Sequence, residues 1–133
     1  MTSLVVLEAQ LPLEETIVIE QSDVNAYPGR TRSRVTQGAK MTREQAMLLS
    51  LMSSENRASQ ALGRNFPGGI PAFVDAMNAK AKLLGMSQSK FADPTGLSSD
   101  NVSSPEDLTR LVEAAYQYQV IREFSTRPDY SIM

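Results

Sequence analysis

Residues 46–52 read Ala-Met-Leu-Leu-Ser-Leu-Met, apolar at every position except Ser50. Thr42 supplies a helix cap, and Gln45 three residues later completes a capping box. A helix that is apolar around nearly its whole circumference must be buried on most sides. It is therefore the expected centre of whatever this chain folds into. It ends abruptly in four polar residues, Ser53-Ser54-Glu55-Asn56, and a second short helix follows at once with Ala58, Ala61 and Leu62 on one stripe. Pro67-Gly68-Gly69 ends that helix.

A third helix follows from Ile70, Phe73, Val74, Met77, Ala81 and Leu84, which share one face at helical spacing. Gly85 stands where a glycine closes a helix in the left-handed conformation. A long loop runs from Asp93-Pro94-Thr95-Gly96 to Ser103. Ser104, Pro105 and Asp107 then mark a new start: a cap, a proline at the first position and an acid at the positive helix end. Leu108, Leu111, Val112 and Ala115 form its apolar stripe, and Tyr118, Val120, Ile121 and Phe124 predict a further helical turn or two.

The N-terminal third is less regular. Leu4 to Ala9 is an apolar run that fits a helix end or a buried strand equally well. Thr16–Glu20 and Ser33–Gln37 are the two strand candidates, by their β-branched content. Asn25-Ala26-Tyr27-Pro28-Gly29 is turn chemistry between them. The fold class expected is mainly α with a small antiparallel β ribbon.

At 133 residues and 41% apolar, the chain has the size and composition of one globular unit. Its net charge of -2 gives no reason to expect nucleic acid or an anionic membrane as partner. The five acids of residues 1–25 and the five bases of residues 30–43 read as solvated faces that offset each other. The chain has no Cys and no His. Thiol nucleophiles, Ser-His-Asp machinery and imidazole metal sites are thereby excluded, and no cofactor or metal is expected. No apolar run approaches the ~18–20 residues that span a bilayer.

Within the polar string, Ser54-Glu55-Asn56 reads as Ser-x-Asn. Serine and asparagine are common just past a helix, where their side chains satisfy free backbone groups. Here they also sit at a rigid junction of two helices, which presents a hydroxyl and an amide at a fixed point, as a site requires. The stretch Leu51 to Ser59 resembles the Ser-x-Asn region of the low-molecular-mass penicillin-binding proteins, more narrowly their D-alanyl-D-alanine endopeptidases. Pro67-Gly68-Gly69, Met77 to Met86 and Phe91 to Leu97 agree, and Val5 to Pro12 resembles the segment just after that family's Ser-x-x-Lys.

The resemblance implies the helical subdomain of the serine β-lactamase/penicillin-binding-protein fold, with residues 1–133 as an incomplete part of a larger two-domain enzyme. It implies a periplasmic serine peptidase that cleaves D-Ala-containing peptidoglycan cross-bridges through an acyl-enzyme, or a carboxypeptidase trimming the terminal D-Ala. A non-catalytic helical binding module is the alternative of another class. The implied partners are a peptidoglycan peptide and β-lactams. The nucleophilic Ser-x-x-Lys is expected upstream of Met1 and Lys-Thr-Gly downstream of Met133, so the chain alone should be inactive. Ser54 and Asn56 are the implied catalytic residues, for proton transfer and for holding the substrate backbone. Glu55, Asp93, Asp100 and Asp107 read as solvent, turn and helix-start residues. With part of its cover missing, the chain is expected to self-associate or to loosen up to about residue 15.

Overall fold

The computed structural model describes residues 1–27 and 35–126. Its elements in order are α1 (Thr2–Glu8), β1 (Thr16–Val18), α2 (Gln21–Asn25), β2 (Lys40–Thr42), α3 (Arg43–Ser53), α4 (Asn56–Arg64), α5 (Gly69–Leu83), α6 (Pro105–Ala115) and α7 (Gln119–Thr126). The mainly helical class with one antiparallel two-stranded ribbon is what the sequence predicts.

α3 is the hub. It packs against α4, α7, α1 and both strands of the ribbon. Ala46 and Met47 are wholly buried and Leu48 nearly so, while Leu49 and Leu51 close against the same core. Its start is the predicted capping box, with the Gln45 amide at 3.1 Å from the Thr42 hydroxyl and the Thr42 amide at 2.9 Å from the Gln45 side chain. Arg43, in the first turn, is buried. Its guanidinium donates to the Pro12 carbonyl at 2.6 Å and to Glu15 at 3.0 Å, fastening α3 to the loop before β1.

The run from Leu4 resolves as a helix. Leu4, Val5 and Val6 are all buried, in a helix docked between α3, α4 and α5. The first turn of α1 lies in the core.

The ribbon departs from expectation. Its second strand is Lys40–Thr42, not Ser33–Gln37, of which Ser33 and Arg34 lie outside the described residues. The register pairs Ile17 with Met41, and both side chains turn inward. Strand β2 thereby delivers the chain directly into the Thr42 cap of α3. The intervening α2 was not foreseen. Asp23 caps its first turn and is buried beneath Arg64, whose Nη2 lies 2.9 Å from the carboxylate. The expected turn at Pro28 and Gly29 lies outside the described residues.

α5 closes as predicted, with Gly85 at φ +76, a conformation that L side chains rarely adopt. α6 starts at the predicted Ser104 cap with Pro105 first. Its apolar stripe, however, does not enter the core: Leu108 is 47% and Val112 54% exposed. The buried residue of this helix is Asp107, which accepts from the Gln88 amide and the Ser89 hydroxyl and so anchors α6 by its polar start. Among the described residues no helix is long and apolar enough to cross a membrane.

The loop after α5 is held by one buried carboxylate. Asp93 accepts from the Tyr27 hydroxyl at 2.9 Å, the Thr95 amide at 3.1 Å, the Gly96 amide at 3.1 Å and the Asn101 side chain at 2.6 Å, with a further short bond from the Thr95 hydroxyl. The loop presses against α4 at Gly63, where any Cβ would meet the Pro94 ring at 2.6 Å. Thr2 at the start of α1 donates to the Pro94 carbonyl at 2.7 Å. Burial pushes the Asp93 carboxyl up, but the bonds from Thr95, Asn101 and Tyr27 outweigh it and hold the group below its ordinary value of 3.8. A carboxyl depressed by folding stabilises fully above its unfolded value and loses that contribution as pH falls through the folded one. Asp93→Asn should therefore lower the thermal midpoint at pH 7, and the gap from the parent should narrow below about pH 4. Thermal unfolding of both proteins from pH 3 to pH 7 checks this, and a gap independent of pH would refute it.

Candidate functional site

The junction between α3 and α4 is closed on a single acceptor. The Leu49 carbonyl takes the Ser54 amide, the Glu55 amide at 3.2 Å and the Ser53 hydroxyl at 3.0 Å. This closure requires a left-handed residue at the turn, the position that glycine usually fills. Ser54 fills it instead, at φ 51 and ψ 41. Among the described residues only Gln10 shares a positive φ without being glycine. Glu55 then caps α4, its carboxylate accepting the Arg57 amide at 3.0 Å, and Asn56 is the first residue of that helix. The expectation that Glu55 points to solvent is thus amended: it is half-buried and serves as a cap.

Ser54 and Asn56 both border a cavity of about 230 Å³. Thr2 from α1, Ser50 from α3, Ser59 from α4 and Thr95 from the Asp93 loop also line it. Among the described residues, neither the Ser54 hydroxyl nor the Asn56 amide has a hydrogen-bond partner, whereas the neighbouring Ser53, Ser50 and Ser59 hydroxyls all do. The side chains around the cavity are hydroxyls, one amide and apolar groups, with no charged side chain among the described residues. Such a surface can bind a neutral polar chain and pass a proton between partners, but none of its side chains is a general base. Among the described residues there is also no group of three acidic side chains placed to hold a metal ion.

The Ser-x-x-Lys element expected upstream has a match in spacing within the chain. Ser87-Gln88-Ser89-Lys90 has that spacing. The structure sets it on a turn after α5, not on a helix. The Ser89 hydroxyl is engaged with Asp107 at 2.7 Å, Lys90 pairs through its backbone with Val102, and none of the four residues lines the cavity. A nucleophile and its base need to share a hydrogen bond at the site, and this string does not reach it. Lys-Thr-Gly is absent from the 133 residues. Asp93 and Asp107 have structural places, as expected, and Asp93 goes further by shaping the wall that carries Thr95.

The contributions of Ser50 and Ser59 were not foreseen. They are nine residues apart on two helices, and no local pattern pairs them.

Comparison with known proteins gives a consistent set. The family profile described as D-alanyl-D-alanine carboxypeptidase matches residues 1–133. The chain is 48% identical over 132 residues to a D-alanyl-D-alanine endopeptidase of Pseudomonas aeruginosa, covering 99% of this chain and 42% of that protein. It is 48% identical over 126 residues to the D-alanyl-D-alanine endopeptidase of Escherichia coli, covering 95% of this chain and 40% of that one. It thus spans about two-fifths of the length of these curated relatives. Among solved structures, a D-alanyl-D-alanine carboxypeptidase from Mycobacterium tuberculosis aligns with a TM-score of 0.81 at 28% identity, over 96% of this chain and 48% of that one. Penicillin-binding protein D2 of Listeria monocytogenes, solved in a cefotaxime-bound form, aligns at 0.83 and 27% identity, over 98% and 55%. With a family match over its full length, and with Ser54-Glu55-Asn56 at the mouth of its cavity, this chain belongs to the D-alanyl-D-alanine carboxypeptidase family.

Proposed function

We propose that residues 1–133 are a helical subdomain of a periplasmic serine peptidase that cleaves D-Ala-containing peptidoglycan cross-bridges through an acyl-enzyme. The observation that carries the reading is the left-handed Ser54, held in a strained conformation beside a cavity, its hydroxyl without a hydrogen-bond partner among the described residues. Non-glycine residues in this region cost free energy, and such strain collects at functional sites. The names of the two 48%-identical relatives favour endopeptidase action over carboxypeptidase action. β-Lactams are the expected inhibitors, as a cefotaxime-bound relative shares the fold.

The chemistry assigned to this chain is one wall of the cleft. The attacking serine and its lysine come from the remainder of the protein. The serine oxygen bonds to the D-Ala carbonyl carbon while its proton passes to the lysine. The tetrahedral intermediate then collapses, the C–N bond breaks, and the departing amine needs a proton. The Ser54 hydroxyl gives up its own proton to that amine and regains one from the lysine, so it ends unchanged. The Asn56 amide hydrogen-bonds the substrate backbone and steadies the lysine. A site without imidazole has use for such a relay, because a second hydroxyl can bridge the base and the leaving nitrogen.

Two predictions follow from these roles. The 133-residue chain, incubated with a labelled penicillin, should gain no acyl mass, whereas the longer protein with both flanking segments should gain one acyl group. A single-acyl shift on the chain alone, lost on mutating Ser87 or another serine, would contradict the assignment. In the longer protein, Ser54→Ala and Ser54→Gly should both lower turnover on the order of 10²–10⁴-fold. Their stabilities should differ: glycine relieves a left-handed strain of about 1–2 kcal/mol that alanine retains, so Ser54→Gly should unfold at the higher temperature. Turnover near the parent's in either variant would return Ser54 to a purely structural place.

A further inference from the structure

The geometry points to Ser59 and Ser50 as a positioning pair that sets where Ser54 and Asn56 stand. This deepens the proposed function and rests on it for the catalytic consequence, but the structural part stands alone. The two hydroxyl oxygens are 2.6 Å apart, bridging α3 to α4. The Ser59 hydroxyl also lies 3.1 Å from the Glu55 carbonyl. Each hydroxyl has one proton, and the Glu55 carbonyl can only accept. The arrangement therefore orders itself: Ser50 donates to Ser59, and Ser59 donates to the Glu55 carbonyl. A chain of aligned hydroxyls polarises itself and is stiffer than isolated bonds.

The target of the chain matters more than its strength. Glu55 is the one residue between Ser54 and Asn56, and its carbonyl lies in the peptide that joins it to Asn56, so fixing it holds Asn56 directly and Ser54 through one residue. The left-handed turn at Ser54 is held from the α3 side by the bonds to the Leu49 carbonyl, and from the α4 side by the Ser59 amide on the Glu55 carbonyl at 3.1 Å and the Arg57 amide on the Glu55 carboxylate. The hydroxyl chain adds a side-chain link that ties Ser50 on α3 to that same carbonyl. Ser59 is 6% exposed, so its bond to Ser50 faces little competition from water. Both hydroxyls also line the cavity that Ser54 and Asn56 border.

The test uses amide hydrogen exchange on the 133-residue protein, with Ser59→Ala, Ser50→Ala and Ser50→Thr. Loss of either hydroxyl should speed exchange of the Ser54 and Glu55 amides by about tenfold, the factor expected for one net hydrogen bond. Amides in the middle of α5 should keep their rates, and Ser50→Thr, which restores a hydroxyl, should return the turn to the parent's rate. Unchanged exchange at the turn, or equal acceleration everywhere, overturns the pair. Should Ser59→Ala unfold, the half-buried Ser50→Ala tests the same bond. In the longer enzyme, Ser59→Ala should slow acylation by penicillin about tenfold, and Ser50→Thr should acylate at the parent's rate. Parent-like acylation despite a loosened turn overturns the positioning role. A parent enzyme inert to penicillin would defeat the proposed function instead, and the exchange rates alone would then decide on the pair.

Discussion

A helix with apolar side chains on nearly every side has to be enclosed, and α3 meets that demand by drawing the other elements around it. The ribbon and α1 cover one part, α4 and α7 others. Its two ends are then fixed points. The start is clamped by the Thr42–Gln45 box and by the buried Arg43 guanidinium. The finish must reverse the chain within a few residues so that α4 can lie against it. That reversal converges on the Leu49 carbonyl and forces Ser54 into the left-handed region. The candidate site is thus a consequence of enclosing α3: the left-handed turn that ends the helix is also where a hydroxyl and an amide border the cavity.

The opposite wall of the cavity follows a different logic. It is a loop, and loops lack a ladder of backbone bonds to hold them. Asp93 substitutes for that ladder by gathering donors from Tyr27, Thr95, Gly96 and Asn101 onto one buried carboxylate. Gly63 lets Pro94 come close enough for Thr95 to reach the cavity, and Thr2 ties the same loop to the first turn of α1. Neutral hydroxyls and an amide therefore line one space together. That suits a peptide backbone, whose groups are polar and uncharged.

Much of this was legible in the sequence, where a pattern has one physical consequence. The capping box at Thr42, the Ser104-Pro105 start, the face of α5 and its Gly85 stop each follow from local chemistry. Ser-x-Asn, with its flanking resemblance, singled out Ser54 and Asn56, which border one cavity and whose catalytic roles are proposed. What stayed hidden depended on partners. The β2 strand is three residues long and announces itself only through Met41, so the richer run around Val35 and Thr36 competed for the place. The stripe on α6 is real, but periodicity does not say which neighbour is there to cover it, and Leu108 and Val112 face outward. The Ser50–Ser59 bond joins two helices. The spacing in Ser87-Gln88-Ser89-Lys90 shows the converse case: the right residue types at the right interval, on a turn that faces away from the site.

The central claim is that the left-handed junction places Ser54 and Asn56 against the reacting group. A crystal structure of the longer protein acylated by a β-lactam tests it most directly. The account predicts the Ser54 hydroxyl and the Asn56 amide within about 2.6–3.2 Å of the adduct or of the lysine that serves it, with Ser54 still at positive φ. An adduct contacted by neither side chain, or a Ser54 relaxed to ordinary helical geometry, would contradict it.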